Sequence, residues 1–269
     1  MFCLKIFENY FDRGNMDATI SFKKLYWLPA WQSAILLIGS LIGFIVALAN
    51  EHVTIYIPFF SETGAEVPEI CIFSYTLIIG SFLGVLIVCH RYLILRSILS
   101  RDNKRLWNVN LVGLWCGLIS MACLAGVAAI PMSTVLWAHL LVSITHFAFA
   151  FFFVVLQTYI NYYLPETYSK WNKFRIAICL CLSGFIGALV ILFPLSHKKW
   201  KKLHSKVPAL KLPEDTGFTL LFFSAGFEWL LYGAFLLFLL TFIFEYRNFQ
   251  ITIKVEPVDE ESESTKTDS

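Results

Sequence analysis

Tyr56-Ile-Pro-Phe-Phe-Ser-Glu-Thr-Gly-Ala-Glu-Val-Pro-Glu-Ile-Cys-Ile-Phe73 is a polar, punctuated stretch in a chain that is apolar on either side of it. Pro58 and Pro68 bracket Ser61, Glu62, Thr63 and Gly64, and Glu66 and Glu69 follow. Proline fixes its own φ and pushes its predecessor out of the α region, while Gly64 can supply left-handed backbone, so the stretch reads as a built turn. It holds no lysine or arginine, which is the preference of a loop on the non-cytoplasmic side of a membrane. We take Pro58, Ser61, Glu62, Thr63, Gly64, Pro68 and Glu69 as a candidate recognition loop. Its acids are expected to be solvated, with a loose cation site as the alternative.

Working outward, the flanks decide the fold class. Residues 28–50 and 71–90 are each apolar over about 20 residues, enough to cross roughly 30 Å of hydrocarbon. Further spans follow at 109–130, 135–160, 175–195 and 218–244. The chain is 58% hydrophobic and 15% charged, with a mean hydropathy of +0.68, too apolar for a soluble domain of its size. The prediction is an all-α polytopic membrane protein, a six-helix transmembrane bundle over 28–244. A short segment, 1–27, precedes it, and an acidic tail, 245–269, expected to be disordered beyond about Pro257, follows. The N-terminus lacks the layout of a signal peptide, leaving targeting to the first span.

Basic residues orient the bundle. Lys5, Arg13, Lys23 and Lys24 precede it, Arg91, Arg96, Arg101, Lys104 and Arg105 lie between the second and third spans, and Lys170, Lys173 and Arg175 between the fourth and fifth. Both termini are therefore expected in the cytoplasm. Residues 196–217 are the exception, an expected external loop carrying Lys198, Lys199, Lys201, Lys202, Lys206 and Lys211 among His197 and His204. Such a loop is either a solvated, disordered connection or a patch for anionic lipid that gains charge in acid.

Polar groups at membrane depth single out further candidates. Glu228 lies about 15 Å into the last span, where a charge costs about 3 kcal/mol and needs a partner or a proton. His146 lies at similar depth on the fourth span, giving a candidate intramembrane pair, Glu228 with His146, that is either proton-sensitive, structural, or not in contact. His139 and Gln157 share that fourth span as a candidate polar face. Gly39/Gly43, Gly80/Gly84 and Gly113/Gly117 are GxxxG pairs, for packing within the chain or for a homo-oligomer face. Tyr246-Arg-Asn-Phe249 is a candidate tyrosine-based sorting signal, or an interfacial anchor. No catalytic, metal or cofactor motif is present, the cysteines show no disulfide spacing, and nucleic acid is not implied.

Two stretches carry a resemblance. Pro58-Phe-Phe-Ser-Glu-Thr-Gly64 running into Pro68-Glu-Ile-Cys-Ile-Phe73 resembles the signature loop of the DNA damage-regulated autophagy modulator (DRAM) family, within the wider FRAG/DRAM/Sfk group. Glu228-Trp229 and Leu240-Thr-Phe-Ile-Phe-Glu-Tyr246 are similar to that family's last span, and His139, Gln157 and Arg91-Tyr92 fall at matching places. The resemblance implies a non-enzymatic regulator of autophagy and lysosomal function. It would sit in lysosomal or other endomembranes, with the plasma membrane as the alternative, and act through membrane lipids and membrane-protein or trafficking partners. The wider group supplies the alternatives: lipid handling related to GPI-anchor remodelling, or organisation of phosphoinositide enzymes at the plasma membrane.

Overall fold

The computed structural model describes residues 18–165 and 170–255. Among them are six helices long and apolar enough to cross a membrane. These are α1 (Trp27–Ala49), α2 (Glu69–Ile98), α3 (Lys104–Ala129), α4 (Leu136–Tyr162), α5 (Asn172–Leu203) and α6 (Phe218–Leu240). After Thr241 the last continues as the short α7 (Phe242–Tyr246). Single 3₁₀ turns occupy Phe60–Gly64 and Pro208–Leu210. The chain divides into two compact units, the helical bundle from Tyr26 to Glu245 and a unit made from the two ends.

The end unit holds β1 (Ala18–Phe22) and β2 (Ile251–Val255), antiparallel with Ala18 opposite Val255 and Phe22 opposite Ile251. Ser21 and Thr252 share a hydroxyl hydrogen bond of 3.0 Å across the pair. The strand lies within the predicted tail, 245–269, ahead of Pro257, and was not anticipated by the acidic composition. Ile-Thr-Ile-Lys-Val is β-branched at alternate and neighbouring positions, which favours extended backbone. The expected disorder beyond Pro257, and most of the N-terminal segment, lie outside the described residues.

Within the bundle, neighbouring helices run antiparallel. Ser74 donates to the Ala128 carbonyl, Ser81 to that of Met121, and Asn110 to that of Tyr92, so α3 descends as α2 rises. Each helix packs on the next in chain order, and α6 returns to α1 through Phe44 against Trp229 and Ser40 against Tyr232. The result is a ring closed in chain order. Large apolar side chains such as Ile38, Ile45, Phe82, Leu180 and Val190 face outward, as hydrocarbon solvent permits.

Small residues set the spacing of the ring. A Cβ on Gly39 would lie 2.1 Å from Thr76, one on Gly80 2.4 Å from Leu36, and one on Gly117 2.6 Å from Val88. All six GxxxG glycines face neighbours of the same chain, so these surfaces are already used inside the bundle.

Boundaries differ from the hydropathy reading where polar residues still suit a helix. Backbone hydrogen bonding carries α2 past His90 and Arg91 to Ile98, and α5 through Pro194 and the lysines to Leu203. The expected external loop at 196–217 is therefore partly helix. Its remainder is folded as well: Trp200 Nε1 donates to the Lys206 carbonyl at 2.8 Å, Lys206 pairs with Asp215 at 2.5 Å, and His204 Nε2 meets the Thr216 carbonyl at 2.9 Å. A disordered loop is thereby excluded.

Candidate functional site

The connection from α1 to α2 does not stand out in solvent; it is driven into the end of the ring. After α1 the chain passes through Glu51 at φ 60° and Ile57 at φ 39°, a left-handed backbone that β-branched side chains disfavour. Pro58, Phe59 and Phe60 then descend into the bundle. The Phe60 ring packs against Phe73, Trp229 and Tyr232 with centroids 4.5–5.3 Å apart, within a core cluster that includes Leu36, Leu77, Leu124 and Leu236. We call this segment the plug.

Its polar groups are met from four directions. The first amides of a 3₁₀ turn have no partner inside the turn. Here Phe59 N–H donates to Glu62 Oε2 and Phe60 N–H to Glu228 Oε2, each at 2.8 Å. Trp229 Nε1 donates to the Pro58 carbonyl at 2.9 Å, and Thr63 to that of Phe60 at 2.7 Å. His139 Nδ1 lies 2.6 Å from the Ile130 carbonyl, which only accepts, so the proton sits on Nδ1 and Nε2 accepts from Ser61 Oγ at 2.9 Å. Ser133 ties down the Ala65 carbonyl at 2.6 Å, and His52 Nδ1 meets Glu69 Oε1 at 2.6 Å.

Two expectations about this loop are overturned. Of its three acids only Glu66 is exposed; Glu62 is 4% exposed and Glu69 fully buried, because each has a partner that lifts it out of water. Gly64 is not left-handed, since Gly217 is the glycine at positive φ among the described residues. What requires Gly64 is contact: a Cβ there would lie 2.2 Å from Cγ of Phe73. Thr63 is fully buried as well, while Pro68 stays exposed before α2.

Lys211, on the connection from α5 to α6, is wholly buried and its ammonium makes no hydrogen bond. Burial pushes the Glu62 carboxyl up to about 7, against the opposing pull of the Lys211 ammonium and the Phe59 N–H. Burial likewise lowers Lys211, and the Glu62 carboxylate opposes it. The two are a buried charged couple without direct contact.

Glu228 and His146 are not a pair. Glu228 is held by the plug, whereas His146 Nδ1 sits 2.9 Å from the Ser120 carbonyl and 3.0 Å from its hydroxyl, and no hydrogen bond or ion pair joins the two. Both instead line one cavity of about 90 Å³ beneath the plug, walled by α1, α2, α3, α4 and α6. No residue of α5, the least buried of the six long helices, reaches it.

His139 and Gln157 also separate. They are some 27 Å apart along α4 at 1.5 Å per residue, one at the plug and one near the other end. There Arg91 Nε donates to Gln157 Oε1 at 2.8 Å, Arg91 Nη1 pairs with Glu245, and Arg175 Nη1 pairs with Glu245 at 2.7 Å. Arg175 Nε also donates to Thr241 at 2.8 Å, and both guanidinium groups lie 4.9 Å from the Phe242 ring. Arg91 and Arg175, expected as loop charges, are fully buried, and Glu245, expected in the tail, is their shared counter-charge. The family resemblance touches Arg91 and the stretch ending Glu245-Tyr246, but hydropathy and spacing do not join the three, which come from α2, α5 and α7. Tyr246 of the candidate sorting signal ends α7 and is buried, and its carbonyl takes the Phe249 N–H at 3.2 Å, so 246–249 turns instead of extending.

Comparison with known proteins covers this whole arrangement. The Frag1/DRAM/Sfk1/Cwh43P N-terminal domain matches residues 24–249. The chain is 29% identical to human DNA damage-regulated autophagy modulator protein 2, over 85% of this chain and 84% of that one. It is 28% identical to protein 1 of that name from Xenopus laevis, over 85% and 92%, and 28% identical to mouse protein 2, over 80% of each. No solved structure matches. The matched segment contains the plug, the cavity and the Arg91–Glu245–Arg175 cluster, and the chain belongs to the Frag1/DRAM/Sfk1 family.

Proposed function

We propose that this protein is a multi-pass membrane modulator of autophagy, resident in a lysosomal or other endomembrane, that works by engaging partners and not by turning over a substrate. The observation that carries the reading is the match to proteins named as autophagy modulators over four-fifths or more of the chain, plug and bundle included. Glu62 and Glu228 each spend an oxygen on a backbone amide of the plug, which fixes its structure.

The test is a cell line lacking the protein, scored for flux of a tandem-fluorescent autophagosome marker during starvation and re-expressing a C-terminally tagged copy imaged against lysosomal and plasma-membrane markers. Altered flux restored by an endomembrane copy is expected. Unchanged flux overturns the reading. A lipid-handling role is the second reading, favoured by the cavity beneath the plug, and lipidomics of the same null line addresses it.

A further inference from the structure

The two strands at the chain ends pair so that all their apolar side chains fall on one face. In an antiparallel pair, residues opposite one another share a face and successive residues alternate between faces. The register sets Ala18 opposite Val255, Ile20 opposite Ile253 and Phe22 opposite Ile251. Between them Thr19 opposes Lys254 and Ser21 opposes Thr252, and the 3.0 Å hydroxyl bond of the latter pair marks the polar face. Among the described residues the apolar face stays open: Ile20 is 42% exposed, Phe22 47%, Ile253 50% and Val255 59%. A two-stranded ribbon by itself is marginal in water, so this one calls for a surface beneath its apolar side.

Size, tethering and charge say what that surface is. Strands of five residues, about 17 Å long and about 10 Å across the pair, give a footprint on the order of 200 Å². A stable protein–protein interface takes roughly 800 Å² from each partner, so a second copy or a free-standing protein finds too little here. The membrane-crossing helices begin at Trp27 and end at Tyr246, and the antiparallel order puts Phe22 and Ile251 at the same end of the ribbon. Lys23–Tyr26 and Arg247–Gln250 join that end to the two spans by no more than about 18 Å of chain each at full extension. The bilayer surface is therefore held at high effective concentration, and a small contact suffices. Six crossings also deliver both ends to one side of the membrane, as the pairing requires. Residues 18–26 and 247–255 hold Lys23, Lys24, Arg247 and Lys254 and no acid. Asp17 and Glu256, the first acids beyond them, flank the end away from the spans.

We infer that this ribbon is a docking surface for an anionic phospholipid leaflet. The face of Ile20, Phe22, Ile251 and Ile253 seats at the boundary of headgroups and acyl chains, as the apolar side of any amphipathic surface segment does. Lys23, Lys24 and Arg247, all exposed, meet the lipid phosphates and carboxylates at its rim. The Phe22–Ile251 end, tied to the spans and carrying the basic links, goes deepest, and the Ala18–Val255 end rides toward water beside Asp17 and Glu256. Whatever follows Val255 then leaves from the membrane surface, next to whatever precedes Ala18.

The test places the photoreactive residue benzoylphenylalanine, one position at a time, at Phe22 and Ile253 on the apolar face and at Thr19 and Lys254 on the polar face of the full-length protein. Each variant carries Ser21→Cys and Thr252→Cys, whose oxidised bridge, read by mass spectrometry, selects molecules with the strands paired. They are irradiated in nanodiscs of phosphatidylcholine, with or without phosphatidylserine, and adducts are identified by mass. Expected are lipid adducts from positions 22 and 253 at several-fold the yield from 19 and 254, rising when phosphatidylserine is present. Lys23→Gln with Lys24→Gln, the probe at Phe22, should cancel that rise. Equal yield from the two faces of the bridged ribbon, adducts to a second copy or to residues 1–17 in place of lipid, or yields indifferent to phosphatidylserine would each overturn the assignment.

Discussion

Replacing Glu62 by glutamine is expected to strip a pH dependence from the stability of the bundle. The carboxyl is 4% exposed and sits at about 7 in the fold against an ordinary 4.5. Below 4.5 it is protonated whether the chain is folded or not, and its contribution to stability is fully present. As pH rises from there to about 7 the unfolded chain releases the proton while the fold keeps it, so stability falls and the contribution is lost above that range. The displacement corresponds to about 3 kcal/mol in all, of which about 2 kcal/mol disappears between pH 5 and pH 8. Lys211 acts with the opposite sign and on the alkaline side, since its lowered affinity for the proton makes stability rise with pH up to its ordinary value of 10.5. Glutamine keeps the shape and the acceptor for Phe59 N–H. Thermal unfolding of the full chain in nanodiscs, followed by tryptophan fluorescence across that range, should show wild type melting lower as pH rises and Glu62→Gln nearly flat. Lys211→Met, which removes the pull on Glu62, should move the wild-type transition to higher pH. If Glu62→Gln retains the wild-type slope, the carboxyl is not the titrating group and the argument fails.

Three further outcomes are expected. Gly64→Ala forces a Cβ against Phe73, and overpacking of this kind costs about 1 to 3 kcal/mol; abundance by fluorescence size-exclusion should fall, recover in part with Phe73→Ala, and be unmoved by Glu66→Gln. Glu245→Gln leaves Arg91 and Arg175 buried without their carboxylate, a change worth about 3 to 5 kcal/mol, so the extracted protein should lose its monodisperse peak. Trp229→Phe removes one hydrogen bond to Pro58, about 1 kcal/mol, and should lower the melting temperature slightly, well short of the Glu245→Gln effect.

Hydropathy and turn chemistry made the architecture legible: six apolar runs became six helices, and the Pro58–Pro68 stretch became a connection with a built interior. The partners of that interior were not legible, because they arrive from far along the chain. Glu62 reads as a solvated acid until Lys211 is brought beside it, and Glu228 reads as an unpaired charge until Phe60 descends to meet it. Gly64 suggests a backbone conformation where side-chain contact is the cause, a distinction that local sequence does not hold. Arg91 and Arg175 look like loop charges because the apolar run ends before the helix does. One missed signal was present all along: Ala18-Thr-Ile-Ser-Phe22 and Ile251-Thr-Ile-Lys-Val255 both suit a strand, but each finds its partner only at the far end of the sequence.

The order in which the ring closes bears on how it is made. Contacts between successive helices form over short separations, so each can settle on its predecessor as the chain lengthens. The bonds from Phe60 to Glu228, Pro58 to Trp229 and Ser40 to Tyr232 span 168, 171 and 192 residues, and closing such loops comes late. Until α6 arrives, the Phe60 amide and the Pro58 carbonyl lack the partners they hold in the finished ring. An unfinished or misrouted chain therefore carries unmet polar groups in this loop that a finished one lacks, and assembly factors that survey membrane proteins for such groups have, in this loop, a means of telling the two apart.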